Sequence, residues 1–370
     1  MDELKQARQT IDQIDSEMAQ LFAQRMAAIK QIARYKQTHG LPISDAAREE
    51  EVIQKNAARI ADEEIRSYYI SFLKNNMKLS CRYQQKLQQG SRVAYCGIEG
   101  SFAAIAASQI FPGGHYISCS SFSEAYSMTA AGECDCAVLP IENSSNGEVG
   151  QVLDLMMFDG SLYVNHVYEM TVVQNLLGVK GSKTDDIRRV YSHEQALGQS
   201  ASFLEEHGIT ALPASNTAVA AKMVAEMNDP HTGAIASAQT AEYYGLQVLE
   251  RHINQSDGNV TRFGVFSRVA NRQAASGSDG EVNSILLFHV KDEAGALAKA
   301  VNIIGLFGYN MRVLRSRPMK QGVWQNYFYI ELQGDINSET GKQMCLQLAN
   351  CCDGMRIGGT YKRDVKGEIK

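Results

Sequence analysis

Residues 2 to 38 contain neither Pro nor Gly. Apolar residues recur along them at helical spacing: Leu4, Ile11, Ile14, Met18, Leu21, Phe22, Ile29 and Ile32. The stretch predicts a single helix about 55 Å long, more than the diameter of a small domain. Gly40-Leu-Pro42 ends it, a second helix starts from a Ser44/Asp45 cap, and a third runs from about Glu63 to Gln88. Three helices with so long a first arm cannot bury its stripe within one chain. The economical solution is a homodimer through the N-terminal helix, with a tetramer left open.

Three cations lie on that stripe. Arg8, Arg25 and Lys36 share a face roughly 120° wide with Leu4, Ile11, Met18, Ile29 and Ile32. One such residue usually packs its stem and sends its head to water. Three together point instead to a cavity that holds an anion, because long cations are rarely buried unpaired. Arg48 and Glu49 open the second helix, and Ser80 and Gln84, spaced i, i+4, share a face of the third.

The pattern Arg8…Asp15…Arg25…Lys36…Asp45-x-x-Arg48-Glu49…Ser80-x-x-x-Gln84 resembles the all-helical chorismate mutase domain. That reaction needs no nucleophile and no proton transfer. It needs two carboxylates clamped in a compact conformer and negative charge stabilised at a breaking ether oxygen. The resemblance implies that Arg25 and Arg48 bind carboxylates, with Arg8 reaching in from the partner subunit. It further implies Lys36 and Gln84 at the ether oxygen and Glu49 at the hydroxyl, with Asp45 and Ser80 (or Cys81, if the third helix aligns one residue differently) completing the chorismate site.

Gln88-Gln89-Gly90-Ser91 is a boundary, placing the helical domain at 1–89 and the next domain at 91–270. Strands now alternate with helices, which argues an α/β sheet. Val93–Cys96 leads to a helix from about Phe102, Cys136–Ile141 to one from about Val149, and Val190–His193 to the helix carrying Gln199. The segment ending at Thr217 precedes a helix from Ala218 to Met227, and Gly233–Ser237 precedes another. Ligands bind at the carboxyl ends of such strands, where helix N-termini offer free N–H groups. Ser101, Asn143, Ser192, Thr217 and Ser237 fall at those turns, although each alone is also an ordinary N-cap. No G-x-G-x-x-G follows a strand and no G-x-S-x-G occurs, which argues against a dinucleotide site and an α/β-hydrolase triad. His193 reads as structural.

The stretch Asn259-Val-Thr-Arg-Phe263 follows an Asp257-Gly258 turn signal and opens a strand from Val260 to Val269. Locally Thr261 is only a β-branched strand residue. Yet Gly97-x-x-Gly100-Ser101-Phe102, Pro140-Ile-Glu-Asn143, Tyr191-Ser-His193, Tyr244-Gly-Leu246 and Thr261-Arg-Phe263, in this order, resemble prephenate dehydratase. That family has two α/β lobes with the site between them, the second lobe being expected at about 169 to 241. The resemblance implies Thr261 as proton donor, with Ser101, Glu142, Asn143, Ser192, Gln199, Thr217 and Arg262 binding prephenate. Departures are Ala103, where the family often has a hydroxyl, and Ile98 and Glu194, where Pro is common.

Residues 271–281 read as a flexible linker. From 282 to 370 the order strand (282–290), helix (295–307), strand (310–319), strand (323–333), helix (337–350), strand (355–362) is a ferredoxin-like α+β plan. Gly295-Ala-Leu297 and Ser316-Arg-Pro318 resemble the phenylalanine-binding ACT domain, implying an effector site at Gly295, Ala296, Leu297, Asn310 and Leu314. Arg315 stands where the family carries Glu, and Arg312 where Thr is common. The whole therefore resembles the bifunctional chorismate mutase/prephenate dehydratases.

The totals agree. A formal net charge of -5 argues against nucleic acid as a partner. No apolar run spans a bilayer, and the charged opening MDELKQARQ reads as helix rather than signal peptide. Eight Cys without a C-x-x-C pair read as reduced thiols of a cytoplasmic protein, with no metal or cofactor expected. The rival reading is a non-catalytic amino-acid sensor with degenerate sites. Intact Thr261 and the intact cationic stripe count against it.

Overall fold

The computed structural model describes residues 2–255, 258–271, 281–320 and 325–362. The Asp257 turn signal, linker residues 272–280, positions 323–324 of the expected strand and the tail beyond 362 lie outside them. Two compact units form, one ending at Ser91 (with the turn Gly113–His115) and one built from the rest.

The first unit is helical. Helix α1 spans Asp2–Thr38, as the unbroken periodicity predicts. Helix α2 (Ala46–Ala57) is capped by Asp45, whose carboxylate accepts from Arg48 N at 3.0 Å. Helix α3 (Glu63–Gln89) starts at Asp62, which accepts from two backbone N–H groups, and stops at Gly90. Only the last third of α1 is covered within the chain: residues 3–24 are exposed throughout, while Ala33 is buried. Leu4 is 58% and Leu21 63% exposed. The fully buried side chains of α3 are Ser80 and Gln84, both polar. Polar groups inside and apolar groups outside invert the usual distribution.

In the second unit the first lobe carries β1 (Arg92–Cys96), α4 (Phe102–Ile110), β2 (His115–Cys119), α5 (Phe122–Ala130), β3 (Cys136–Asn143), β4 (Gly147–Glu148), α6 (Gly150–Phe158) and β5 (Tyr163–Thr171). The second lobe carries β6 (Asn175–Gly178), β7 (Arg189–Ser192), α7 (Glu194–Gln199), α8 (Ala201–Glu206), β8 (Thr210–Pro213), α9 (Thr217–Met227), β9 (Thr232–Ala236), α10 (Ala238–Tyr244) and β10 (Gln247–Glu250). The chain then returns to the first lobe as β11 (Val260–Ser267). Sheet order is β2-β1-β3-β11-β5 in the first lobe and β10-β6-β9-β7-β8 in the second. The expected second-lobe limits of 169–241 need correction. Residues up to Thr171 pair with β11 in the first sheet, and β10 closes the edge of the second by pairing with β6. The second lobe is therefore 175–250.

The C-terminal part follows the expected order: β12 (Val282–Val290), α11 (Ala296–Leu306), β13 (Asn310–Pro318), β14 (Asn326–Gln333), α12 (Glu339–Ala349) and β15 (Cys352–Lys362). The sheet runs β13-β14-β12-β15, all antiparallel. One face carries the helices over Leu286, Phe288, Ile330 and Leu332. The other is no free surface. Ile285, Leu287, Tyr327, Tyr329 and Tyr361 join Ile141, Leu153, Met156 and Val164 of the first lobe in one continuous core. At Gly359 (φ 143°) a Cβ would stand 2.1 Å from Val164 O, so only glycine permits this approach.

Candidate active sites

In the helical unit, burial brings part of the predicted set together. Arg25 donates through Nη1 to Ser80 Oγ. Among the described residues no carboxylate lies at ion-pairing distance from it, and burial draws its guanidinium below the ordinary value. Lys36 Nζ donates to Ile43 O at 2.6 Å. Glu49 Oε1 accepts from Ser44 Oγ at 3.0 Å and faces Cys81 Sγ at 3.9 Å. Burial pushes the Cys81 thiol up, with Glu49 adding to the effect and Lys36 and Arg25 opposing it, so these charges share one neighbourhood. The buried Gln84 Oε1 has no partner among the described residues. Ser80, not Cys81, takes the position beside Arg25.

Other predicted residues stay apart in the single chain. Asp45 is occupied as the α2 cap. Arg48 turns to Glu51 at 2.6 Å with its side chain 63% exposed. Arg8 is exposed on the uncovered arm, 17 positions from Arg25 and so about 25 Å away along one helix.

The second unit holds a cavity of about 600 Å³ between its two lobes, within the range of small-molecule sites. Thr261 and Asn143 face it from directly opposed positions of β11 and β3. Asn143 Oδ1 accepts from Ser145 N at 3.0 Å and Asn146 N at 3.1 Å, which settles how its amide is turned. Its Nδ2 then donates to Thr261 Oγ1 at 2.9 Å and to Asn259 Oδ1 at 2.7 Å. Asn259 Nδ2 in turn donates to Gln199 Oε1 at 2.9 Å. With Asn143 as its donor, the Thr261 hydroxyl keeps its own proton for another acceptor. Among the described residues it has none.

Ser101, the α4 cap, lines the cavity, as does Thr217 behind Asn216, the α9 cap. The Gly97–Ser101 turn is held by the second lobe, since Tyr244 OH donates to Glu99 O and Thr240 Oγ1 to Gly100 O, both at 2.7 Å. Ala103 lines the cavity with a methyl group; Ile98 and Glu194 do not line it.

Three predicted ligands are corrected. Side chains alternate along a strand, so Arg262 and Glu142 point away from the face bearing Thr261 and Asn143. Arg262 meets Glu142 at 3.1 Å and Glu331 of β14 at 2.8 Å instead. Ser192 is fully buried, its hydroxyl donating to Ile235 O at 2.6 Å. His193 replaces it at the wall while its Nδ1 accepts from Gln195 N. No Lys or Arg is among the described lining residues. Asn259, missed as a site residue, sits at the head of the stretch that contains Thr261.

The five residues expected to hold phenylalanine remain accessible in the single chain. Gly295 (φ 82°) caps α11, Ala296 and Leu297 are half-buried, and Asn310 and Leu314 are exposed. Arg315 stays partly open to solvent while its Nη2 donates to Glu142 Oε1 at 2.8 Å. Arg312 pairs with Glu281.

Among the described residues no cluster of His, Cys, Asp or Glu could hold a metal, and no helix is long and apolar enough to cross a membrane. The family model for prephenate dehydratase matches residues 93–271, and that for chorismate mutase type II matches 7–85. A bifunctional chorismate mutase/prephenate dehydratase of Aquifex aeolicus (strain VF5) is 30% identical over 376 residues, covering 100% of each chain. A crystal structure of prephenate dehydratase in complex with L-Phe from Arthrobacter aurescens is 27% identical with a TM-score of 0.67, covering 74% of this chain and 90% of that one. A structure described as GqqA, a novel type of quorum quenching acylase, is 28% identical with a TM-score of 0.68, covering 74% and 98%.

Proposed function

The chain belongs to the family of bifunctional chorismate mutase/prephenate dehydratases, and on that premise we propose how its two sites work in phenylalanine biosynthesis. The helical unit rearranges chorismate to prephenate. The two-lobed cavity converts prephenate to phenylpyruvate, water and carbon dioxide. Neither step needs a cofactor, since one is a rearrangement and the other an elimination driven by aromatisation.

The observation that carries the dehydratase reading is the Asn143–Thr261 hydrogen bond at 2.9 Å. As the ring carboxylate leaves, its bonding electrons enter the ring and expel the hydroxyl group, which needs a proton. A free Thr hydroxyl is a poor acid. Here Asn143 donates to Thr261 Oγ1, stabilising the charge that develops as the proton departs, and Asn259 and Gln199 hold Asn143 in place. Substrate carboxylates then rely on neutral donors, namely Ser101 and Thr217 with the N-terminal ends of α4 and α9.

In the helical unit Arg25, Lys36, Ser80, Gln84 and Glu49 form the half of the chorismate site that one chain supplies. Arg48 joins on binding, and the exposed arm of α1 pairs with a second copy that brings Arg8. The eight free thiols suit a reducing cytoplasm. The test is chorismate with the purified protein. Loss of chorismate with appearance of phenylpyruvate is expected, whereas neither change would favour the non-catalytic sensor.

The C-terminal unit reads as an ACT domain that takes phenylalanine. Strand β13 is suited to transmit it: Leu314 lies on the face of the predicted effector site, while Arg315 and Arg317 on the opposite face reach Glu142 and Asp154 of the first lobe at 2.8 and 3.0 Å. Phenylalanine should therefore inhibit the dehydratase more than the mutase, with a coupling of about 1–3 kcal/mol. Titrating phenylalanine into both assays beside calorimetry checks this. No heat of binding and no rate change at millimolar effector would leave this unit an assembly module.

A further inference from the structure

We propose that Glu331, on β14 of the C-terminal part, is a positioning residue for the dehydratase, holding the Thr261 hydroxyl in register through Arg262. The inference rests on the reading of Thr261 as proton donor.

Glu331 sits at a core position, its side chain 5% exposed. A lone carboxylate there would be costly, so its partners matter. Both oxygens receive the Arg262 guanidinium, at 3.0 Å (Oε1) and 2.8 Å (Oε2). Tyr329 OH donates to Oε1 at 2.6 Å and Tyr361 OH to Oε2 at 2.8 Å. Burial alone would push Glu331 up, yet Arg262 and the two tyrosines hold it below the usual carboxylate value. The carboxylate is thus ionised and saturated, a fixed anchor rather than a titrating group.

Arg262 carries that anchor to the reacting strand. It also donates to Glu142 Oε2 at 3.1 Å. The pair Arg262↔Glu142 on one face of β11 and β3 adjoins the pair Thr261↔Asn143 on the other. Between Arg262 and Phe263 the register of the two strands slips. A bulge re-aims side chains and weakens the local ladder. On the β5 side the pairing of β11 runs unbroken from Val260 to Val265, so it is on the β3 side, where Asn143 stands, that the ladder holds Thr261 least and the clamp to Glu331 takes over.

The test uses the full chain with prephenate and chorismate as substrates. Glu331→Gln should lower kcat on prephenate by about 10- to 100-fold, the scale of a small misplacement of a reacting group, with KM changed by less than about 3-fold. Glu331→Asp should recover part of the loss, and mutase turnover should not change. Because both residues act on one hydroxyl, Thr261→Val with Glu331→Gln should be no slower than Thr261→Val alone. Multiplicative losses in the double variant, or wild-type kcat in Glu331→Gln, overturn the proposal. If Glu331→Gln does not fold, Tyr361→Phe removes one hydrogen bond from the same network, and there an unchanged kcat overturns it. A Thr261→Val enzyme of normal rate refutes the donor instead, and so separates the two readings.

Discussion

Thr261→Val is expected to cut the dehydratase rate by orders of magnitude and to spare the mutase. Valine keeps the volume, the branching and the strand preference of threonine, so β11 and its pairing with β3 and β5 should persist. Only the hydroxyl goes, and with it the acceptor for Asn143 Nδ2. General acid catalysis is worth about 10²–10⁴-fold, so phenylpyruvate formation from prephenate should fall by that order. Chorismate turnover, read in the same preparation, reports folding and stays normal. A near-normal dehydratase rate would falsify the assignment of the donor. Asn143→Ala should fall less far, because it removes assistance to the donor but leaves the proton in place.

Arg25→Ala should give the complementary phenotype. Arg25 is half-buried with Ser80 as its neighbour and no carboxylate of its own among the described residues, a cation prepared for an anion. Its loss should cost about 3 kcal/mol of transition-state stabilisation, roughly 10²-fold in mutase turnover, while supplied prephenate is still converted. The distance of Arg8 from Arg25 along one helix makes a further result specific. Arg8→Ala and Arg25→Ala subunits, each inactive alone, should regain one working site per mixed dimer. If mixed dimers form and no activity returns, the site is not shared.

Much of this was legible from residue order. The arm Asp2–Thr38 was visible because an unbroken 3.6-residue period needs no tertiary information. The C-terminal order of strands and helices was visible because each element there has a clear period and polar turns, although its boundaries shift by a few residues. Thr261 and Asn143 stood out through their neighbours in motif order, and the structure pairs them across β3 and β11.

The errors share a cause. Ser192, Glu142 and Arg262 belong to motifs that reach the site, but a motif does not say which way its members face. Ser192 satisfies a backbone carbonyl in the core, and Glu142 and Arg262 occupy the face of β3 and β11 opposite to Asn143 and Thr261. Arg315, which stands where the family carries Glu, pairs with Glu142, a partner that residue order does not reveal.

Local sequence determined the elements, the break between the helical and α/β halves, and the identity of the polar residues at strand ends, because these depend on period, caps and turn chemistry within a few residues. Tertiary structure alone decided that Asn143 turns its amide toward Thr261, that the C-terminal sheet shares a core with the first lobe, and that Glu331 faces Arg262. Those pairs lie 118 and 69 positions apart. Their geometry follows from strand register and sheet packing, which are set by all the buried side chains together and not by any one stretch of the chain.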